Sequence, residues 1–213
     1  MLEKILLFQG VQKQSLDALE KTLRPRSFNK GDMVIRQGDE GDALYLVITG
    51  RLKVVSSCEE GKEALLDFFG PNDYFGELAL LDPNVRSASV IAVENSDLLC
   101  ITRRKLMNFL QDNPEANLSL MRGLARRTRA ISQNLSSLAQ LDVYGRIARV
   151  IIQEAADEGG RLITPQLTQK EIGEMIGASR EMVSRILKDL RTGGYISIEG
   201  RRIIVHRRLP AHW

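Results

Sequence analysis

A glycine, a carboxylate and an arginine within one short segment form the most distinctive chemical pattern of this 213-residue chain. Gly76 lets the backbone approach a ligand closely, and exposed N–H groups at a helical turn favour an anion. Arg86 presents a planar fork of donors that suits phosphate oxygens, and Ser87 adds a hydroxyl donor. Glu77 has the wrong charge for a phosphate, but it can accept a hydrogen bond from a ribose hydroxyl. The segment can therefore bind the two halves of one nucleotide.

The chain around this segment is predicted to fold as an all-β domain. From residue 26 to residue 101, short strand-like runs are separated by glycines about every ten residues. This spacing predicts a sandwich or barrel, and we expect a jelly-roll-like barrel. A short amphipathic helix is predicted before it, at residues 15–23. An alternative interpretation is that Glu77 and Arg86 pair with each other and brace a loop of a barrel that has lost its ligand.

A long helix is predicted from residue 114 to residue 141, with Asn113 as its N-cap and Pro114 in its first turn. Apolar or small side chains recur along it in alternating steps of three and four, which is the repeat of a two-helix seam. The seam residues are Met121, Leu124, Thr128, Ile131, Leu135 and Leu138. The helix is therefore predicted to form a dimer, although a core helix of a single domain is an alternative.

The last third of the chain has the element order of a winged helix-turn-helix. Thr168 and Glu171 form a capping box that opens a helix, Gly177 ends that helix, and Ser179 caps the next one. A predicted hairpin follows at residues 195–205, and this order is that of a DNA-binding module.

Several polar side chains of this module are suited to DNA. Arginine can bind guanine and glutamate can accept from cytosine, whereas Lys188 and the wing arginines Arg201 and Arg202 suit phosphates. The predicted contact residues are Thr168, Gln169, Ser179, Arg180, Glu181, Ser184, Arg185, Lys188 and Arg201. The alternative is a solvated helix face with intrahelical pairs such as Glu181 with Arg185.

Charge and composition agree with this division. Residues 1–112 carry 14 Lys and Arg against 17 Asp and Glu, whereas residues 113–213 carry 16 against 10. The basic second half is typical of nucleic-acid binding.

Two cysteines far apart and two histidines near the C-terminus give no metal-site or nucleophile–base pattern, so neither an enzyme nor a metal protein is expected. The thiols are expected to be buried in a reducing cytoplasm, and no apolar run is long enough to span a membrane.

Two sets of motifs resemble one known family. The segments Gly76-Glu77-Leu78-Ala79 and Arg86-Ser87-Ala88 resemble the phosphate-binding cassette of cyclic-nucleotide-binding domains. Residues 141–143, 146–148, 169–173 and 179–188 look like segments of the bacterial cyclic-AMP receptor protein (Crp/Fnr) family. The chain is accordingly identified as a member of that family, with the similarity covering nearly its whole length.

The resemblance implies an α+β chain in three parts. These are a cyclic-nucleotide-binding sensor domain of jelly-roll type at residues 1–112, a dimerisation helix at residues 113–141 and a winged helix-turn-helix at residues 142–213. The implied function is that of a cytoplasmic homodimeric transcription regulator, most simply an activator, controlled by cyclic AMP. Its implied partners are RNA polymerase and a palindromic operator with TGTGA-like half-sites about 34 Å apart.

The same resemblance implies a set of ligand contacts, which are Gly76, Glu77, Leu78, Arg86, Ser87, Ala88, Arg127, Ile131 and Ser132. The sequence departs from the family at Ile131, where a threonine contacts the adenine, because isoleucine supplies no hydroxyl. Ile131 also has a simpler interpretation, as a packing residue of the dimer seam. Cyclic AMP, another cyclic nucleotide such as cyclic di-GMP, and DNA binding without any ligand therefore stay open. A remote alternative is the regulatory module of a kinase or channel.

Overall fold

A computed structural model of the protein describes residues 1–57, 63–82 and 85–209; within its longest helix, residues 134, 135 and 137–140 are described by their backbone alone. Contacts divide the chain into two compact units, Met1–Arg129 and Ala130–Trp213. This division falls inside the long helix, between the boundaries that the sequence predicts after residues 112 and 141. The three functional segments therefore stay a prediction, made on motifs rather than on compactness.

Among the described residues, eight antiparallel strands in two sheets form the β-roll of the first unit. One sheet has the strand order β1-β8-β3-β6 and the other the order β2-β7-β4-β5. The strands are β1 Arg24–Phe28, β2 Met33–Ile35, β3 Ala43–Thr49, β4 Leu52–Ser57, β5 Glu63–Phe69, β6 Tyr74–Phe75, β7 Ser89–Ala92 and β8 Ser96–Thr102. The predicted jelly-roll-type fold is confirmed.

The two faces of strand β3 show how the β-roll is packed. Val47 points to the interior, where side chains from both sheets form one apolar cluster with Leu98 and Phe75. Leu44 and Leu46 alternate with it and point to the outer face, which is covered by the N-terminal residues and helices. A strand buried on both faces reads as a continuous apolar run. This explains why the sequence of β3 shows no alternation.

Helices and short turns surround the β-roll. They are two 3-10 turns at Leu2–Lys4 and Leu6–Phe8, α1 Lys13–Glu20, α2 Leu78–Leu81, α3 Arg103–Asp112 and α4 Pro114–Gln140. Strands β1 and β6 and helix α3 were not predicted from the sequence. β1 is an edge strand that contains Pro25 and four exposed residues, so it lacks the apolar alternation on which strand prediction depends.

Helix α4 begins at Pro114, as predicted. Asn113 does not act as expected, because its amide donates to the carbonyl of Phe109 at the end of α3, at 2.8 Å. Large apolar side chains are left exposed along the helix, including Met121 at 58% and Ile131 at 62%. The side chains of Leu135 and Leu138 lie outside the described residues, so the full seam remains a prediction.

The second unit is a winged helix-turn-helix, as predicted. Its elements are α5 Val143–Glu154, β9 Ala156–Asp157, β10 Leu162–Ile163, α6 Gln169–Ile176, α7 Arg180–Thr192, β11 Ile196–Glu199 and β12 Arg202–Val205. Asp142 caps α5 by accepting from the Gly145 N–H at 2.7 Å. Apolar residues of the three helices and the hairpin share one core, which includes Ile147, Val183 and Ile203. The sheet order is β11-β12-β10-β9. The sequence pattern predicts that α5 continues to about residue 157, whereas the helix ends at Glu154.

Candidate functional site

Glu77 lies at the turn between β6 and α2 and is almost completely buried, with 2% of its surface exposed. The turn depends on Gly76, whose φ of +87° is strained for any residue with a Cβ atom. One carboxylate oxygen, Oε1, accepts a hydrogen bond from Arg127 Nη1. The other oxygen, Oε2, has no hydrogen-bond partner among the described residues. A buried acceptor without a partner is costly, so this oxygen suits a hydroxyl donor supplied by a ligand.

Arg86 is the second buried charge of the site, with 6% of its surface exposed. Its guanidinium donates to the carbonyl of Gly76 at 2.9 Å and to the carbonyl of Ala43 at 2.7 Å. Burial lowers the pKa of Arg86, while the neighbouring side chains of Tyr45, Asp42 and Glu77 act in the opposite direction. Arginine stays charged in proteins even when its pKa falls. The site therefore holds a fixed positive group beside the Gly76 turn.

Two glycines leave room for this guanidinium. A Cβ atom on Gly76 would lie 2.6 Å from Arg86 Nη1, and one on Gly41 would lie 2.9 Å from Arg86 Nε. Both distances are shorter than real Cβ contacts, so a side chain at either position would displace Arg86. The sequence drew attention to Gly76 through its motif. Gly41 is one of the regularly spaced glycines of the predicted β domain, and no local signal in the sequence links it to Arg86.

The remaining predicted ligand residues have mixed positions. Ser87 and Leu78 are exposed, and Ala88 is half-buried against the interior cluster of the β-roll. Ile131 and Ser132 are exposed on α4. The alternative interpretation proposed an ion pair between Glu77 and Arg86. Glu77 instead forms its ion pair with Arg127.

Arg127 ties helix α4 to this site. Besides Glu77, its guanidinium donates to the carbonyl of Tyr74, and it lies 4.8 Å from the Tyr74 ring centroid and 5.3 Å from that of Phe69. Gly123 lies one turn earlier on α4, and a Cβ atom there would be 2.1 Å from the Tyr74 hydroxyl oxygen. The helix can therefore approach the site closely only because residue 123 is a glycine.

The helix-turn-helix of the second unit has tightly specified ends. Thr168 and Glu171 exchange the two hydrogen bonds of a capping box, at 3.1 and 2.6 Å, as predicted. Gly177 ends α6 in the left-handed conformation with φ of +66°. Ser179 caps α7 by accepting from the Met182 N–H at 3.2 Å. These caps fix the angle at which α7 leaves the turn.

Helix α7 presents a polar, mainly basic face. Its exposed side chains include Arg180, Glu181, Ser184, Arg185 and Lys188, while Val183, Ile186, Leu187 and Leu190 are buried. The guanidinium of Arg185 lies 2.8 Å from the sulfur of Met182, and no ion pair with Glu181 is formed among the described residues. A helix face with exposed arginines can reach base edges in a major groove.

The wing contributes an exposed arginine, Arg201. Gly200, with φ of +63°, forms the turn between β11 and β12, and Arg201 is exposed beside it. Arg202, which the sequence also suggested for phosphate binding, is instead tied to the carboxylate of Glu158 and donates to the Thr164 carbonyl at 3.2 Å. Thr168 and Gln169, at the start of α6, are half-buried.

The described residues also bear on metal binding, membrane crossing and the state of the cysteines. Among residues 1–57, 63–82 and 85–209, no group of three His, Cys, Asp or Glu side chains is arranged to hold a metal ion. None of the described helices combines the length and hydropathy that a membrane crossing needs. Cys100 is a buried free thiol, as predicted, while Cys58 lies outside the described residues.

Comparison with known proteins matches both halves of the chain. Residues 25–113 match the model of the cyclic nucleotide-binding domain, and residues 145–209 match that of the Crp-like helix-turn-helix domain. A CRP-like cAMP-activated global transcriptional regulator of Mycobacterium tuberculosis is 39% identical over 204 residues, covering 93% of this chain and 91% of the relative. The cAMP-activated global transcriptional regulator CRP of Salmonella typhimurium is 35% identical over 179 residues, covering 81% and 85%.

A solved structure, the catabolite activator protein of Thermus thermophilus, is similar with a TM-score of 0.59 and 30% identity, covering 94% of this chain and 93% of that one. The two matched domains follow each other along this chain, and the second one contains the helix-turn-helix described above. The chain therefore belongs to the Crp-like family of DNA-binding transcription regulators.

Proposed function

We propose that this protein is a homodimeric regulator whose DNA binding is controlled by a cyclic nucleotide, with cyclic AMP as the first candidate. The observation that carries the proposal is the buried Glu77 carboxylate with one unpaired oxygen, next to the buried guanidinium of Arg86. Together they offer an acceptor for a ribose hydroxyl and a cation for a phosphate. The names of the relatives, which call them cAMP-activated, support the same ligand.

The proposed ligand roles follow from the side chains. Glu77 Oε2 accepts from the ribose, while Arg86 and Ser87 donate to the phosphate, with the backbone of Gly76, Leu78 and Ala88 around it. Arg127 balances the charge of Glu77 from α4. We assign Ser132 to the base of the nucleotide. Ile131, where the sequence departs from the family, is assigned to the base as well.

The dimer is proposed from the exposed apolar face of α4. Met121 and Ile131 are more than half exposed, and Leu124 and Thr128 continue the same spacing between them. Large exposed side chains at the interval of a two-helix seam are stabilised when a second copy covers them. A nucleotide that binds better to one arrangement of these helices than to another would control the DNA-binding units.

The DNA contacts are proposed from the exposed face of α7. Arg180, Glu181 and Arg185 would contact bases, and Lys188 and Arg201 would contact phosphates. The capped N-termini at Thr168 and Ser179, with Gln169 and Ser184 beside them, suit phosphate binding. In a two-fold dimer the half-sites would be about 34 Å apart, and a TGTGA-like palindrome is the first operator to test. RNA polymerase is the further partner that we propose.

Calorimetric titration with cyclic AMP, cyclic GMP and cyclic di-GMP tests the ligand assignment. We expect saturable cyclic AMP binding near one per subunit. Glu77→Gln, which keeps the shape of the side chain, should weaken that binding at least tenfold, whereas Glu94→Gln, an exposed carboxylate of the same unit, should not. Binding of cyclic AMP that is unchanged in Glu77→Gln would remove Glu77 from the site.

A second candidate is a regulator that responds to cyclic di-GMP or binds DNA without a ligand. The observation in its favour is Ile131, which cannot offer a hydroxyl to a base. Fluorescence anisotropy with operator DNA, with and without each nucleotide, distinguishes the cases. Operator binding of equal strength with and without every nucleotide would favour ligand-independent regulation.

A further inference from the structure

A cavity of about 340 Å³ opens where the edge strands β1 and β2 of the two sheets meet. Its wall is formed by Arg24, Arg26, Ser27, Phe28, Val34, Asp42, Ala43, Tyr45, Cys100 and Thr102. None of the residues assigned above to the nucleotide lines this cavity. Its volume is at the lower end of the range of small-molecule sites, about 300–1,000 Å³. We call it the mouth cavity.

Strand pairing places two arginines on the inner face of the β-roll. Arg24 is opposite Cys100, which is opposite Tyr45, so these three side chains form a row across β1, β8 and β3. Arg26 is opposite Leu98, which belongs to the apolar cluster of the interior. Directly paired residues share one face of a sheet, so both arginines face inward at the mouth.

The charges of the mouth cavity are not balanced. Beyond the backbone pairing of β1 with β8, no side-chain hydrogen bond or ion pair joins Arg24 or Arg26 to another residue within the described part of the chain. Asp42 is the single carboxylate of the wall, so the wall carries one net positive charge. Burial raises the pKa of Tyr45, which Cys100 and Asp42 raise further, while Arg86 and Arg26 lower it. The fields of Arg26 and Arg86 therefore both reach this hydroxyl.

We propose that the mouth cavity binds a small phosphate-bearing anion, at a site that adjoins the Glu77 and Arg86 site through Ala43 but contains none of the residues assigned to the nucleotide. Two guanidinium groups at the rim can share the oxygens of one phosphate, because their donors form a planar fork that matches that geometry. The hydroxyls of Tyr45 and Thr102 on the wall add donors deeper in the cavity. Bound phosphate would link β1 to β3 across β8. The proposal does not depend on cyclic-nucleotide binding.

A competing explanation exists for the same arginines. Inward-pointing charges on an edge strand protect that strand from pairing with another chain. In that case the arginines repel partners and bind no particular ligand. The two explanations differ in one measurable property, which is stabilisation of the folded state by phosphate that depends on Arg24 and Arg26.

The test measures the thermal midpoint of the full chain against inorganic phosphate, with chloride adjusted to keep the ionic strength constant. A second probe, glycerol phosphate, distinguishes a phosphate monoester from free phosphate. The variants are Arg24→Gln with Arg26→Gln, and the matched control Lys13→Gln with Arg104→Gln, which removes two exposed charges of the same unit outside the cavity. A ligand that binds only the folded state raises stability in proportion to the logarithm of its concentration over Kd.

We expect the thermal midpoint of the parent and of the control pair to rise with this logarithmic dependence on phosphate, and an apparent Kd at least tenfold weaker for the Arg24 and Arg26 pair. An equal rise in all three proteins, or none in any of them, would overturn the proposal.

Cys100 supplies a second measurement in a Cys58→Ser background, because its side chain lines the cavity. Phosphate should slow its reaction with a neutral thiol reagent in the parent and leave the rate unchanged in the Arg24 and Arg26 variant.

Discussion

Removal of the Arg127 side chain should show how strongly the long helix is tied to the β-roll. The change Arg127→Ala deletes the ion pair with Glu77, the hydrogen bond to the Tyr74 carbonyl and the contacts with two aromatic rings. It leaves the Glu77 carboxylate buried at 2% exposure, with neither oxygen paired to Arg127 and Oε2 already without a partner. Arg127→Ala therefore leaves an uncompensated buried charge, which destabilises the folded state strongly.

The magnitude follows from the burial of the two partners. Breaking a buried ion pair by removing one member costs about 3–5 kcal/mol, because the remaining charge is uncompensated. Glu77→Gln removes the charge instead and leaves Arg127, whose side chain is 31% exposed and partly hydrated. We expect it to cost about 1–3 kcal/mol, the range for an unsatisfied buried hydrogen-bonding group. Arg127→Ala should therefore be the more destabilising of the two changes.

The assay must resolve the first unit from the second. We would measure urea unfolding by hydrogen-exchange mass spectrometry and use peptides of residues 1–129 for the free energy of unfolding of that unit. Arg126→Ala is the matched control, since Arg126 is the exposed neighbour on the same helix. A surface substitution of this kind usually changes stability by less than about 0.5 kcal/mol.

The double variant Glu77→Gln with Arg127→Ala completes the cycle. Its loss of stability should be smaller than the sum of the two single losses. The reason is that Glu77→Gln removes the buried charge that Arg127→Ala would leave without its ion-pair partner. Strictly additive costs, or a cost for Arg127→Ala equal to that of Arg126→Ala, would refute the argument. Either result would mean that Glu77 is compensated by another group.

Three further predictions concern packing, pH and DNA. Gly123→Ala should destabilise the first unit by about 1–3 kcal/mol because its methyl group meets the Tyr74 hydroxyl, and Tyr74→Phe should reverse most of that cost in the same urea assay. Burial raises the pKa of Asp73, so its ionised form opposes folding and the folded state gains stability as the pH falls through that pKa. Asp73→Asn should therefore raise the urea midpoint at pH 7 but not at pH 3, and the opposite order would contradict the sign. Arg185→Ala should cost about 1–3 kcal/mol at one operator position in anisotropy titrations, whereas Lys188→Ala should weaken binding to all sequences alike.

The sequence was sufficient for the elements whose signals are local. The capping box at Thr168, the left-handed end of α6 at Gly177 and the Ser179 cap were all predicted, because each needs only a few neighbouring residues. Strand β1 was missed because an edge strand with exposed polar residues and a proline has no apolar alternation. Asn113 was assigned to the wrong helix, since one amide can satisfy either of two adjacent helix ends.

The candidate site was only half determined by the sequence. Gly76, Glu77 and Arg86 could be selected from the chemistry of their side chains and a family motif. The sequence could not show that Glu77 pairs with Arg127, fifty positions later, or that Gly41 makes room for Arg86. Both contacts depend on the distance between elements that are far apart in the chain. The tertiary structure alone brings them together, because helix and sheet packing, rather than sequence spacing, decides which side chains share a buried volume.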